Sequence, residues 1–477
     1  MADTSGTAKT DDGADPRRWL VLAIVAIAQL MVVLDATIVN IALPSAQRAL
    51  GFANSDRQWI ITAYALAFGS LLLLGGRIGD LFGRKWAFVV GLFGFAGASA
   101  LGGAADSFAM LVSARALQGV FGAILAPSAL SMLATTFTDP AERGKAFGIF
   151  GAVAGGGSAV GLVLGGILTE GLSWRWCLYV NLFFAAVAGI GALVLFENRS
   201  AGRRPPLDLP GTILASAGLF GVVYGFSHAA TASWGNAVTV ASLLVGVGLL
   251  AMFVIIEQRV AHPLLPLRII LDRNRGGSYL SVAFSAIAIF GVFLFLTFYL
   301  QQIKGYSPII TGVGFLPLTA AIVTTSTLSN IKLLPRVGPR PLVVVGMLCG
   351  CTGMLLLSRL GVGSTYVTGI LPALIILGSG FGLIFAPAIN EATARVAPQD
   401  TGVASAMVNT MQQVGGSVGT ALLSTLAAGA TTTYIRVHHA AGPAAVARGA
   451  IHGYTVAFLT SSAIFFAGAL VAAALLN

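Results

Sequence analysis

Charge is what this chain lacks. Asp, Glu, Lys and Arg make up 9% of its 477 residues, hydrophobic types make up 56%, and the mean hydropathy is +0.89. So few charges cannot clothe a water-soluble surface, which excludes a soluble globular class and assigns most of the chain to lipid. Cysteine is scarce too. Cys177, Cys349 and Cys351 lie in or beside apolar runs, and their odd number without Cys-x-x-Cys spacing argues against a disulfide framework. The histidines lack metal-site spacing. No Gly-x-x-x-x-Gly-Lys-Ser/Thr loop occurs, so no pump driven by nucleotide hydrolysis is expected. With no convergent Ser/His/Asp set and no soluble catalytic domain, neither an enzyme nor a cofactor is expected.

Long apolar runs are what is present. Read with Gly, Pro and charge as punctuation, they fall at 20–43, 59–76, 86–104, 108–137, 146–168 and 176–196, then 209–229 and 237–257. Six more follow at 278–301, 309–332, 342–360, 365–391, 402–427 and 453–476. The expectation is an all-α membrane protein of fourteen transmembrane helices. It divides into a disordered cytoplasmic tail (1–18), a six-helix half (19–197), a linker with an inserted helix pair (198–276) and a second six-helix half (277–477).

Basic residues set the orientation. With the N-terminus in the cytoplasm, only Arg48, Arg57, Arg175, Lys304, Arg359, Arg436 and Arg448 face outward and Arg115 lies within the membrane. The rest of the 27 Lys and Arg face inward, so both termini are expected to be cytoplasmic. The net charge of +10 is accounted for in the same way, and no nucleic-acid partner is implied.

Asp35 is the residue that demands a reason. At ~1.5 Å per residue it sits about 24 Å along the first span, still inside a hydrocarbon core of roughly 30 Å. An ionised carboxylate at that depth costs at least ~2.5 kcal/mol, so it must face protein or a watery cavity. Arg115, Gln118 and Gly122 share one face of the fourth span, and a buried arginine needs an acid, a cavity or backbone carbonyls. Asp35 is the partner proposed for it, being the deepest acid in the first half. On the first span Thr37, Asn40 and Pro44 lie on another face, so Asn40 is expected to bond a neighbouring helix.

The loop Gly75-Gly76-Arg77-Ile78-Gly79-Asp80-Leu81-Phe82-Gly83-Arg84-Lys85 supplies glycines for a tight turn and opposed charges, Asp80 and Arg84, for a latch between two states. A weak echo, NIKLLPRVGPRPLVVVG from Asn330, aligns Gly83 with Gly338 and Lys85 with Arg340, as parallel six-helix repeats would. In the fifth span Gly157, Gly161, Gly165 and Gly166 permit close helix packing. In the second half Asn409, Gln412 and Gln413 share a face, and Phe293 stands in an aromatic run. With Gln118 these are the candidate substrate-cavity residues, polar helix contacts or ordinary packing being the plainer use of each. Glu391 ends its span with Arg395 four residues on, which reads as a surface ion pair before a proton site. The inserted pair carries no carboxylate, lysine or arginine between Asp208 and Glu257 and is expected to pack outside both halves.

The Gly75–Lys85 loop is very similar to the signature loop of the major facilitator superfamily. Three further stretches resemble its fourteen-helix drug:proton antiporters, the QacA-like and EmrB-like exporters. They are LDATIVNIALP around Asp35, RALQGVFGAILAP from Arg115, and GAVAGGGSAVGLVLGG from Gly151 with the Trp174-Arg175-Trp176 turn after it. The resemblance implies a proton-coupled antiporter, a functional monomer in the bacterial cytoplasmic membrane, that exports small amphipathic drugs or antibiotics by alternating access. Asp35 and Arg115 would couple protons, with a cationic or polar substrate favoured when Asp35 is charged, and Gly76, Asp80, Gly83, Arg84 and Lys85 would gate. One departure stands out: Ser158 and Leu162 occupy positions where the family's fifth helix usually carries proline, which removes the kinks proline imposes. A proton-coupled importer or a lipid transporter on the same fold remains the alternative.

Overall fold

The computed structural model describes residues 17–53, 56–137, 139–196, 208–260, 263, 265–393, 396, 401–438 and 442–477. Most of the expected tail, residues 198–207 of the expected linker and Arg395 lie outside the described residues. Every regular element among the described residues is a helix. The first six are α1 (Arg18–Leu50), α2 (Gln58–Phe82), α3 (Arg84–Gly103), α4 (Phe108–Thr136), α5 (Pro140–Gly171) and α6 (Trp176–Leu195). Then come α7 (Leu209–Thr231) and α8 (Ala237–Glu257). The long helices that remain are α9 (Arg273–Ile303), α10 (Pro308–Leu328), α11 (Pro339–Leu357), α12 (Tyr366–Ala392), α13 (Thr401–Val437) and α14 (Pro443–Leu475). Among the described residues twelve helices are long and apolar enough to cross a membrane, and Gln58–Leu72 and Gly157–Gly171 are shorter apolar helices.

Several helices overrun the apolar runs. α13 and α14 extend by about ten residues where they meet, because amphipathic turns continue a helix beyond its lipid-matched length at little cost. The break between α2 and α3 is narrower than expected. α2 continues through Phe82 and only Gly83, at φ 95°, turns the chain. Gly75 therefore serves packing and not the turn: a Cβ there would lie 1.9 Å from the Ala123 carbonyl oxygen of α4. Its counterpart Gly338, before α11, also has positive φ, at 75°. Both positions need a conformation that L side chains avoid.

The two sets of six share one packing plan. In the first, α2 and α3 pack on α4, α1 on α4, α5 and α6, and α3 on α6. In the second, α10 and α11 pack on α12, α9 on α12, α13 and α14, and α11 on α14. The sets meet along two reciprocal seams, α5 with α10 and α2 with α13, as a two-fold relation requires. α7 lies against α2 and α13, covering one seam, and α8 packs on α7. Asp208 caps α7 by accepting from the Gly211 N–H at 2.9 Å. Two π-helical turns, Val292–Leu296 and Tyr299–Ile303, bracket Phe298 in α9.

Candidate functional site

Asp35 is fully buried near the middle of α1. Its Oδ2 accepts from Arg115 Nη1 of α4 at 2.5 Å, and its Oδ1 accepts from Gln118 Nε2 and from Asn181 Nδ2 of α6, each at 2.8 Å. Three donors converge on one carboxylate, and the opposed charges offset each other's desolvation. Arg115, 2% exposed, is itself held on three sides. Its Nη1 also donates to Gln118 Oε1 at 2.7 Å, its Nε donates to the Ile60 carbonyl of α2 at 3.1 Å, and its guanidinium lies over the Tyr64 ring at 4.4 Å. Ser99 of α3 closes the set, accepting from Gln118 Nε2 at 2.6 Å and Asn181 Nδ2 at 3.2 Å.

The structure thus brings together Asp35, Arg115 and Gln118, and adds Ser99, Asn181, Tyr64 and the Ile60 carbonyl. Gln118, grouped by sequence with the substrate cavity, is fully buried in this network. Among the described residues Asn181 Oδ1 has no hydrogen-bond partner. An amide flip would turn that oxygen to a protonated Asp35 and accept its O–H, so the network has a place for a proton without new side chains. On one side of Arg115 lies a cavity of about 10 Å³ lined by Val39, Ala42, Leu43, Arg115 and Cys177. That is near the minimum for one water.

Asn40 departs from the expected role. Its Nδ2 donates to the Ala36 carbonyl of its own helix at 3.0 Å and not to a neighbour. Thr37 does the same, bonding the Leu34 carbonyl at 3.1 Å, because α5 closes against it at Gly161. A Cβ on Gly161 would lie 2.1 Å from Thr37 Oγ1, one on Gly165 2.9 Å from Ile38 Cγ1, and one on Gly157 3.1 Å from Leu30 Cδ1. The glycine motif seats α5 on the helix that bears Asp35. Gly166 faces the other half, where a Cβ would meet the Ile309 Cα of α10 at 2.7 Å. Gly161→Val is expected to cost about 1–3 kcal/mol by overpacking. Thermal unfolding of the purified protein would report it as a lower melting temperature.

Of the proposed gating residues, Gly83 makes the turn and Lys85 Nζ donates to the Leu193 carbonyl of α6 at 2.9 Å. Gly76 stands in ordinary contact with Pro127, and Arg84 opens α3. Asp80 lies in α2, but its side chain is outside the described part of the structure. In the second half Phe293 is buried against Phe315 with ring centroids 5.4 Å apart. Asn409 is exposed, and Gln412 and Gln413 are half-buried on α13. Gln413 packs toward Gly69 of α2, where a Cβ would approach its own at 3.0 Å. Glu391 is half-buried at the end of α12. Among the described residues no cluster of three or more His, Cys, Asp or Glu could hold a metal ion.

Comparison with known proteins places these features. A sequence model described as the Major Facilitator Superfamily matches residues 25–420. The puromycin resistance protein pur8 of Streptomyces alboniger is 52% identical over 467 residues, covering 98% of this chain and 92% of that protein. The cephamycin export protein CmcT of Amycolatopsis lactamdurans is 38% identical over 90% of this chain and 88% of its own. Among solved structures, a bacterial homologue of the human lysosomal transporter Spinster in an inward-facing, occupied conformation superposes with a TM-score of 0.69 at 16% identity, covering 96% of this chain and 97% of that one.

Proposed function

Because the chain belongs to the major facilitator superfamily, and is therefore a multi-pass membrane transporter of small molecules and not an enzyme, we propose that it exports an amphipathic antibiotic in exchange for protons. In this reading all fourteen long helical stretches span the cytoplasmic membrane, both termini are cytoplasmic, and one chain is the working unit. Asp35, buried and bonded to Arg115, Gln118 and Asn181, is the observation that carries it. A single acid kept so deep and so well partnered is what a proton-exchanging site needs.

The geometry shapes how coupling works. The Asp35 carboxylate faces α4 and α6, and Arg115 already answers its charge. A cationic substrate therefore gains little from touching it. Coupling runs instead through the helices: protonation removes the charge that holds Arg115, and α1, α2 and α4 settle into the alternative packing that opens the other face. Export is favoured over import because the relatives of highest identity named above are an antibiotic resistance protein and an antibiotic export protein.

Puromycin is the first substrate to test, since it names a relative sharing 52% of its sequence with this chain. Expression in a host stripped of its own efflux pumps should raise the tolerated puromycin concentration by several twofold steps, and a proton ionophore should cancel the accumulation difference. A panel of unrelated amphipathic compounds with no change for any of them would refute the export reading.

A further inference from the structure

The two halves are hydrogen-bonded to each other at the end of the molecule where α1 and α5 finish. Gln301 Nε2 of α9 donates to the Ile41 carbonyl of α1 at 3.1 Å, and the Ile309 N–H of α10 donates to Glu170 Oε2 of α5 at 3.3 Å. Backbones meet between them: a Cβ on Gly312 would lie 2.3 Å from the Leu162 carbonyl oxygen. Into this seal the first half sends a cation. Arg57, preceding α2, lies over the Phe298 ring of α9 with Cζ 3.8 Å from the centroid, and the Tyr454 hydroxyl of α14 lies beside its guanidinium.

Arg57 also stands three residues before Ile60, whose carbonyl receives Arg115 Nε. One helical turn therefore faces two ways, toward the second half through Arg57 and toward the buried ion pair through Ile60. Trp59 between them rests on Tyr224 of α7 at 6.1 Å, so the inserted pair braces the same turn.

We propose that Arg57 is a positioning residue of the transport cycle: its stack on Phe298 and contact with Tyr454 latch the outer end shut, and the turn 57–60 couples that latch to the Arg115–Asp35 pair. The inference rests on the transport reading and on the orientation that puts this end outside. Arginine suits the role because a planar guanidinium covers a ring face while its edge donates, which an ammonium cannot match. Opening the outer face must slide Phe298 from under Arg57. Because a helical turn moves as a unit, that movement pulls the Ile60 carbonyl against Arg115. Conversely, an Arg115 no longer held by Asp35 leaves the turn free to tilt.

The test uses the reconstituted full chain with spin labels on Ala49→Cys and Ile310→Cys, two exposed positions on either side of the seal, in a transport-competent background whose native cysteines are replaced. Substrate-free protein should give one dominant short distance by pulsed dipolar spectroscopy. Arg57→Ala should move most of the population several ångströms longer, Arg57→Lys should recover part of the short population, and Tyr454→Phe should shift a smaller fraction the same way. Asp35→Asn should lengthen the distance as well, with Arg57 intact. An unchanged distribution in Arg57→Ala overturns the latch. If that variant does not fold, an unchanged Tyr454→Phe does so. A latch response without any response to Asp35→Asn overturns the coupling. Export by the unlabelled wild type is scored separately, so that a failed transport reading is told apart from a failed latch.

Discussion

Asp35→Asn is expected to abolish gradient-driven export while leaving an inserted, folded protein. The asparagine is isosteric and keeps one oxygen for the amides of Gln118 and Asn181, but its own NH2 then faces the Arg115 Nη1 donor. Arg115 retains the Ile60 carbonyl, Gln118 Oε1 and the Tyr64 ring, so the fold keeps enough of its contacts to persist. What is lost is the carboxylate proposed to carry the proton. The loss should be complete in vesicles energised by an imposed pH gradient, whereas exchange of labelled for unlabelled substrate without a gradient should survive. If the variant exported with wild-type dependence on the gradient, the coupling carboxylate would lie elsewhere.

Arg115→Gln is expected to be more damaging to the protein itself. It leaves the Asp35 carboxylate with two neutral amide donors and no countercharge in a fully buried position. Breaking a buried pair from one side costs about 3–5 kcal/mol, a large fraction of the total stability of a typical domain. Yield of monodisperse protein should fall sharply and its melting temperature with it. The double variant Asp35→Asn/Arg115→Gln removes both charges, and should be more stable than Arg115→Gln alone although it transports nothing. Equal damage in the single and double variants would mean that Arg115 matters for packing and not for charge balance.

These two residues were legible in the sequence because depth alone makes a charge conspicuous in lipid. Asp35 and Arg115 stand out in apolar runs, and Gln118 follows by helical spacing from Arg115. Ser99 and Asn181 were not legible. Each is a lone small polar residue on a different helix, and no spacing rule connects residues that meet only when α3, α4 and α6 assemble around α1. Asn181 did leave a signal, as the amide within the apolar run 176–196. Arg57 was read as an outer-loop charge that helps set topology, because nothing local shows that Phe298 and Tyr454, hundreds of residues away, come to meet it. The glycines of α5 were recognised as packing positions, but which helix they face depends on the pairing of α1 with α5. The Gly75–Lys85 loop shows the opposite error: its glycines suggested one tight turn, whereas the helix runs on and the first glycine is spent on contact with α4.

The central claim is that Asp35 gives up and regains the transported proton. Proton release on substrate binding, measured with the purified protein in weakly buffered solution, tests it most directly. Wild type should release protons when puromycin or another exported compound is added, and Asp35→Asn should bind the same compound with no release. Undiminished proton release from Asp35→Asn would contradict the account.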